Sequence, residues 1–123
     1  MGGAGTVFEL SPNPDGSWTY SVLYSFAGGS GGCGIGVSNS LAVDGDGNLY
    51  GTTWCTGLYT RGTVFKLTKT GDSWTYTPLH DFTGGSDGAN ASGSVLLHPN
   101  GKLYGTAAYG GSQGAGVVWE ITP

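Results

Sequence analysis

The chain has 123 residues, 26 of them Gly and 5 Pro, so about a quarter of all positions punctuate the backbone, yet 12% aromatic and only 10% charged residues argue for a folded core over a solvated coil. Gly costs about 1 kcal/mol at a helix-interior position relative to Ala and recurs too often here to leave room for a helix, so the expected fold is all-β. A formal net charge of -4 without any basic run argues against nucleic acid and anionic membrane as partners, no apolar run approaches the roughly 20 residues that would insert into a membrane, and no signal peptide is visible in the first residues.

In chain order, the first strand-like run is Gly5-Thr6-Val7-Phe8-Glu9-Leu10, whose alternation sets Phe8 and Leu10 on one face and Val7 and Glu9 on the other. Trp18 to Phe26 follows, with Trp18, Tyr20, Val22, Tyr24 and Phe26 expected to share a face. After a Gly-rich loop comes the short apolar run Leu41 to Val43, then a turn from Asp44 to Asn48 and a strand from Leu49 to Thr53. The set then starts again. Gly62-Thr63-Val64-Phe65-Lys66-Leu67 repeats the first run 57 residues on, and Gly116-Val117-Val118-Trp119-Glu120-Ile121 repeats it after a further 54. Ser17-Trp18-Thr19-Tyr20 recurs as Ser73-Trp74-Thr75-Tyr76, Leu41 to Val43 as Val95 to Leu97, and Asn48-Leu49-Tyr50-Gly51-Thr52 as Lys102-Leu103-Tyr104-Gly105-Thr106.

Two copies of one unit and the start of a third therefore account for nearly the whole chain, with units at 5–61, 62–115 and 116–123. In the second copy Pro78 stands where the first has Val22. Proline lacks a ladder donor and is tolerated at sheet edges, so the fourth strand is expected outermost. Four antiparallel strands, a period of about 55 residues and Gly-rich connections describe a β-propeller blade with the Leu41 or Val95 run innermost. A sandwich gives no reason for a fixed-order repeat, and a trefoil would want three complete units. Numbered from the inside outward, the chain supplies strands three and four, then one to four, then one to three. That is about two blade-equivalents, where propellers close with about 4 to 8 blades. The expectation is a ring completed by homo-oligomerisation, as a cyclic trimer or tetramer, or else a segment of a longer array. Either the Gly5 strand or the Gly116 strand is then surplus at each junction.

The run Asp46-Gly47-Asn48-Leu49-Tyr50-Gly51-Thr52-Thr53, a Gly-rich gap and Gly62 to Leu67 resemble the GloVer tandem-repeat family of bacterial proteins (Gloeo/Verruco type), with Gly101 to Thr106 and Gly116 to Ile121 as a second instance. The resemblance implies a secreted or surface-exposed repeat protein, with no activity, cofactor or catalytic residue to carry over.

Several motifs look chemical. Asp44-Gly45-Asp46-Gly47-Asn48 resembles the start of a calcium loop, but Leu49 stands where that loop needs Gly and Cys55 where it needs Glu, so a hairpin turn is expected and no metal is assigned. Gly28 to Gly32, Gly84 to Gly88 and Gly110 to Gly114 satisfy G-x-S-x-G without the following helix that a nucleophile elbow needs. Gly29 to Gly34 fits G-x-G-x-x-G without a βαβ unit. His80 and His98 take the places of Tyr24 and Asp44 and are expected as partly exposed strand-end residues. Asn90-Ala91-Ser92 is a glycosylation sequon. Cys33 and Cys55 lie in connections that emerge on one face of a blade. A Cys33–Cys55 disulfide is geometrically reasonable there and would contribute about 3 kcal/mol, with two separate thiols as the alternative.

The same face collects the connections Ala27 to Asn39, Trp54 to Arg61, Thr83 to Gly93 and Ala108 to Ala115. They carry Trp54, Tyr59, Arg61, Asp87, Asn90, Tyr109 and Gln113, side chains suited to stacking on and hydrogen-bonding a glycan or peptide, or simply to packing against neighbouring blades. The sequence thus reads first as a non-catalytic, self-assembling scaffold without cofactors. A multivalent carbohydrate-binding propeller comes second. A glycan-acting hydrolase using a loop carboxylate such as Asp87 comes third, weakened by the small number of acids from which to draw a convergent pair.

Overall fold

The computed structural model describes residues 5–27 and 40–123, and every described element is a β-strand. β1 (Thr6–Pro12) and β2 (Trp18–Ser25) form a hairpin. β3 (Ala42–Val43), β4 (Leu49–Thr53), β5 (Thr63–Thr70) and β6 (Ser73–Asp81) form a four-stranded sheet in sequence order. β7 (Ala89–Leu97), β8 (Leu103–Tyr109) and β9 (Val117–Ile121) form a third. Among the described residues every pairing between these strands is antiparallel, with one isolated parallel bridge between Gly110 and Ala115, and none of the sheets closes on itself. The grouping into two, four and three strands follows the partition read from the repeats, and the strand carrying Pro78, β6, lies at an edge. The turns that set the register are local: Gly47 and Gly101, both at positive φ, donate to the carbonyls of Asp44 and His98.

Two expectations are corrected. Trp18, Tyr20, Val22, Tyr24 and Phe26 do not share a face, because β2 carries a bulge. Val7 pairs with Tyr24 and Phe8 with Val22, so Leu23 is the extra residue. Trp18, Tyr20 and Val22 consequently stay with Phe8 and Leu10, while Tyr24 and Phe26 turn to the other side with Val7. The same bulge recurs at Leu79, between the pairs Val64–His80 and Phe65–Pro78. The innermost strand of the third sheet also begins earlier than Val95. β7 starts at Ala89, is bulged between Ser92 and Leu96, and takes Asn90 out of the expected loop, just as β8 takes in Tyr109.

The sheets lie face to face in chain order, with cores between them. Val7, Phe26, Phe65 and Leu67 fill the first junction, flanked by Tyr24, Leu41, Trp74 and Tyr76. Tyr24 stacks on Tyr76 with ring centroids 4.8 Å apart, and Phe26 meets Phe65 edge-on at 5.3 Å. Tyr50, Val64, Phe82, Val95, Leu103 and Trp119 build the second junction. Two glycines make these cores fit: a Cβ on Gly51 would overlap the Phe65 ring, and one on Gly105 the Trp119 ring. The inner strands β3 and β4 approach β7, whereas the outer strands β2 and β6 approach each other.

Candidate functional site

At one end of the sheets the β4–β5 connection and the ends of β7 and β8 bring together four of the seven residues singled out in the sequence. Asn90, held at positive φ and nearly buried, donates its Nδ2 to the Trp54 carbonyl at 2.9 Å, and its backbone N–H donates to the Arg61 carbonyl at 2.6 Å. Trp54 meets Tyr109 edge-on at 6.2 Å, and the Arg61 side chain lies over Gly84. The amide of Asn90 therefore ties the start of β7 to the connection between β4 and β5, and the sequon it heads is committed to that tie. Tyr59 and Gln113 are exposed and join this group through no hydrogen bond or ring contact among the described residues. Cys55 is buried beneath the group and disulfide-bonded. Cys33, its expected partner, lies outside the described residues, as does the Ala27 to Asn39 connection beyond Ala27.

Asp87 belongs to a different constellation. Its carboxylate accepts from Thr83 N–H and Thr83 Oγ1 and contacts His80 Nε2 at 3.0 Å. Partial burial pushes its pKa upward, but the donors from Thr83 and His80 outweigh this and hold it below the ordinary carboxylate value. His80, Phe82, Ser86 and Asp87 face Val117 to Ile121 of β9 across a groove of about 310 Å³. The sequence reading did not join these residues. The signal it contained was the correspondence of His80 to Tyr24, a residue that in the first hairpin faces the neighbouring sheet.

At the opposite end, the carboxylate of Asp44 collects donors from its own turn. Asp44 accepts from the backbone N–H groups of Asp46 and Asn48, from Asn48 Nδ2 at 2.8 Å and from the Tyr50 hydroxyl at 2.9 Å. The Asn48 side chain is the largest cause that brings Asp44 to about 2 against an opposing desolvation. Burial, then the Asp44 carboxylate, pushes Tyr50 up to about 12.

Exposed apolar side chains occur on the outward faces of the two end sheets. Phe65 and Leu67 are fully buried, while their repeat equivalents Phe8 and Leu10 are each 51% exposed. Val64 is fully buried and Val7 nearly so, but Val118 at the same repeat position is 81% exposed. Trp18, Tyr20 and Val22 extend the first of these faces and Leu96 the second. No solved structure and no curated protein matches the chain. The Gloeobacter/Verrucomicrobia repeat matches it from residue 1 to residue 123, and the chain belongs to that repeat family.

Proposed function

We propose that the chain is a β-propeller repeat module, without catalytic activity, that assembles with further copies of itself into a ring and serves as a structural or interaction scaffold. The observation that carries this reading is the unequal exposure of equivalent positions. The face that buries Phe65 and Leu67 inside the chain is bare at Phe8 and Leu10, and the face that buries Val64 is bare at Val118. The two bare faces are unlike each other, one being the side each sheet turns to its predecessor and the other the side it turns to its successor. Contact between such faces is heterologous and runs head to tail, which closes into a ring when the rotation per copy divides a full turn. Radial stacking is supported by the approach of inner strand to inner strand and outer to outer. A secreted or surface location fits the disulfide at Cys55. Light scattering over a dilution series tests the assembly: three or four times the 12.4 kDa chain mass is expected, and a compact monomer at every concentration sinks the reading.

A second reading, carbohydrate binding on the connection face, is favoured by the edge-on pair of Trp54 and Tyr109. Aromatic faces with nearby amides suit stacking on a sugar ring. A glycan array with the native chain and Trp54→Ala tests it: specific binding lost in the variant is the expected result, and uniform background removes the reading.

A further inference from the structure

We propose that β2 of a second copy leaves its own β1 and pairs with the open edge of β9, completing the third sheet to four strands. This rests on the self-assembly reading above and alters its contact: β1, with Phe8 and Leu10, is displaced from the junction, and β9 takes its place beside β2.

The register for such a pairing occurs twice in the chain. β2 meets β1 with Ser25 opposite Thr6, Tyr24 opposite Val7, Val22 opposite Phe8, Ser21 opposite Glu9 and Tyr20 opposite Leu10. β6 meets β5 at the equivalent positions, with the bulge in the same place. Carried to β9, the pattern sets Ser25 against Val117, Tyr24 against Val118, Val22 against Trp119, Ser21 against Glu120 and Tyr20 against Ile121. β9 pairs only with β8 among the described residues, so its other edge is available. The groove of His80, Phe82 and Asp87 lies where the added strand would run.

Of the two strands competing for β2, β9 is anchored by more of its side chains than β1. Trp119 is buried across Gly105 and near Phe82, with Val117 and Ile121 packed beside it. β1 contributes Val7 to a core but leaves Phe8 and Leu10 half exposed. Exchanging β1 for β9 trades a ladder of seven paired positions for one of five and opens the Asn13 to Ser17 turn. The gain is burial. Val118 takes the seat that Val7 leaves against Phe65 and Leu67 of the second copy. Tyr20 of that copy comes onto His80 of the first, as Tyr76 lies on Tyr24 within one chain. Swapping an identical element between protomers is a low-cost route to association, because each new contact reproduces one the fold already makes.

A disulfide lock distinguishes this exchange from stacking of intact hairpins. Glu9 and Ser21 are opposite partners in the β1–β2 ladder, so the E9C/S21C chain, once oxidised, ties β2 to β1. The expected result is a monomer by light scattering, with the native chain's assembled mass returning on reduction. In parallel, mixing S21C copies with E120C copies is expected to give an intermolecular disulfide of twice the chain mass, absent from either variant alone. A locked chain that assembles to the native mass, or an assembled mixture without that cross-link, overturns the exchange and leaves self-assembly standing. A native chain that is monomeric throughout overturns both.

Discussion

Val64 in the middle sheet and Val118 in the last sheet occupy the same place in their repeats, with the same backbone pairing beneath them. Val64 faces the third sheet and is sealed; Val118 faces no described neighbour. Phe65 and Phe8 make the same contrast on the opposite side. Burial in this molecule is a property of the neighbouring sheet more than of the residue, so the two end sheets behave as half-junctions whose other halves are already drawn in the middle of the chain.

The sharpest way to break this comparison is to charge both valines. Val64→Asp puts a carboxylate into a dry core without a partner and is expected to leave the chain unfolded at room temperature, by circular dichroism. Val118→Asp is expected to keep the native spectrum and to lose assembly, by light scattering. If both variants unfold, the exposed valine already has a hidden partner and the half-junction account is wrong. The phenylalanines give a graded version. Phe65→Ala is expected to cost about 3–5 kcal/mol in urea unfolding of the dilute chain, whereas Phe8→Ala, removing a half-exposed ring that touches Tyr20 at 5.4 Å, is expected to cost no more than about 1 kcal/mol. Equal losses would place Phe8 in a core.

Smaller again is the expected effect of filling the glycines under the aromatic rings. Gly105→Ala forces Trp119 off the sheet and is expected to cost about 1–3 kcal/mol, against within about 0.5 kcal/mol for Gly45→Ala, whose Cβ meets nothing. Thermal melts of the two variants, side by side, check this.

Strand identity and grouping were legible because each strand appears in two or three copies with its turn attached, and Pro78 marked the edge. The β2 bulge was not, since a single extra residue reverses every face beyond it and nothing in Trp18 to Phe26 marks Leu23 as the one left over. Asn90 falls in the sequence within the Gly-rich run from Thr83 to Gly93 that separates two strands, which makes it look like a loop residue. Its role as a tie to the Trp54 carbonyl depends on a connection 36 residues away. The His80–Asp87 pair is local but equally hidden, since it joins a strand end to the connection that follows, whose path alternation does not describe. Alternation along a strand shows which residues share a side, and only packing shows what stands opposite.

The repeat also sets one turn against another, and there the expected difference is one of pH. At the first turn Asp44 collects four donors, while at the equivalent second turn His98 Nδ1 accepts one, from Asn100 N–H at 3.3 Å. Folding lowers the Asp44 pKa from an ordinary carboxylate value of about 3.9 to about 2. The unfolded chain therefore binds the proton first. The stabilisation is complete above the unfolded value and drains away as pH falls through the window down to about 2. Asp44→Asn removes the titrating group while retaining one acceptor, so its melting temperature is expected to lie below that of the native chain near neutrality and to converge on it as the medium is acidified across that window. Parallel acid shifts in both proteins would assign the loss to other carboxylates and leave the first turn no more sensitive to acid than the second.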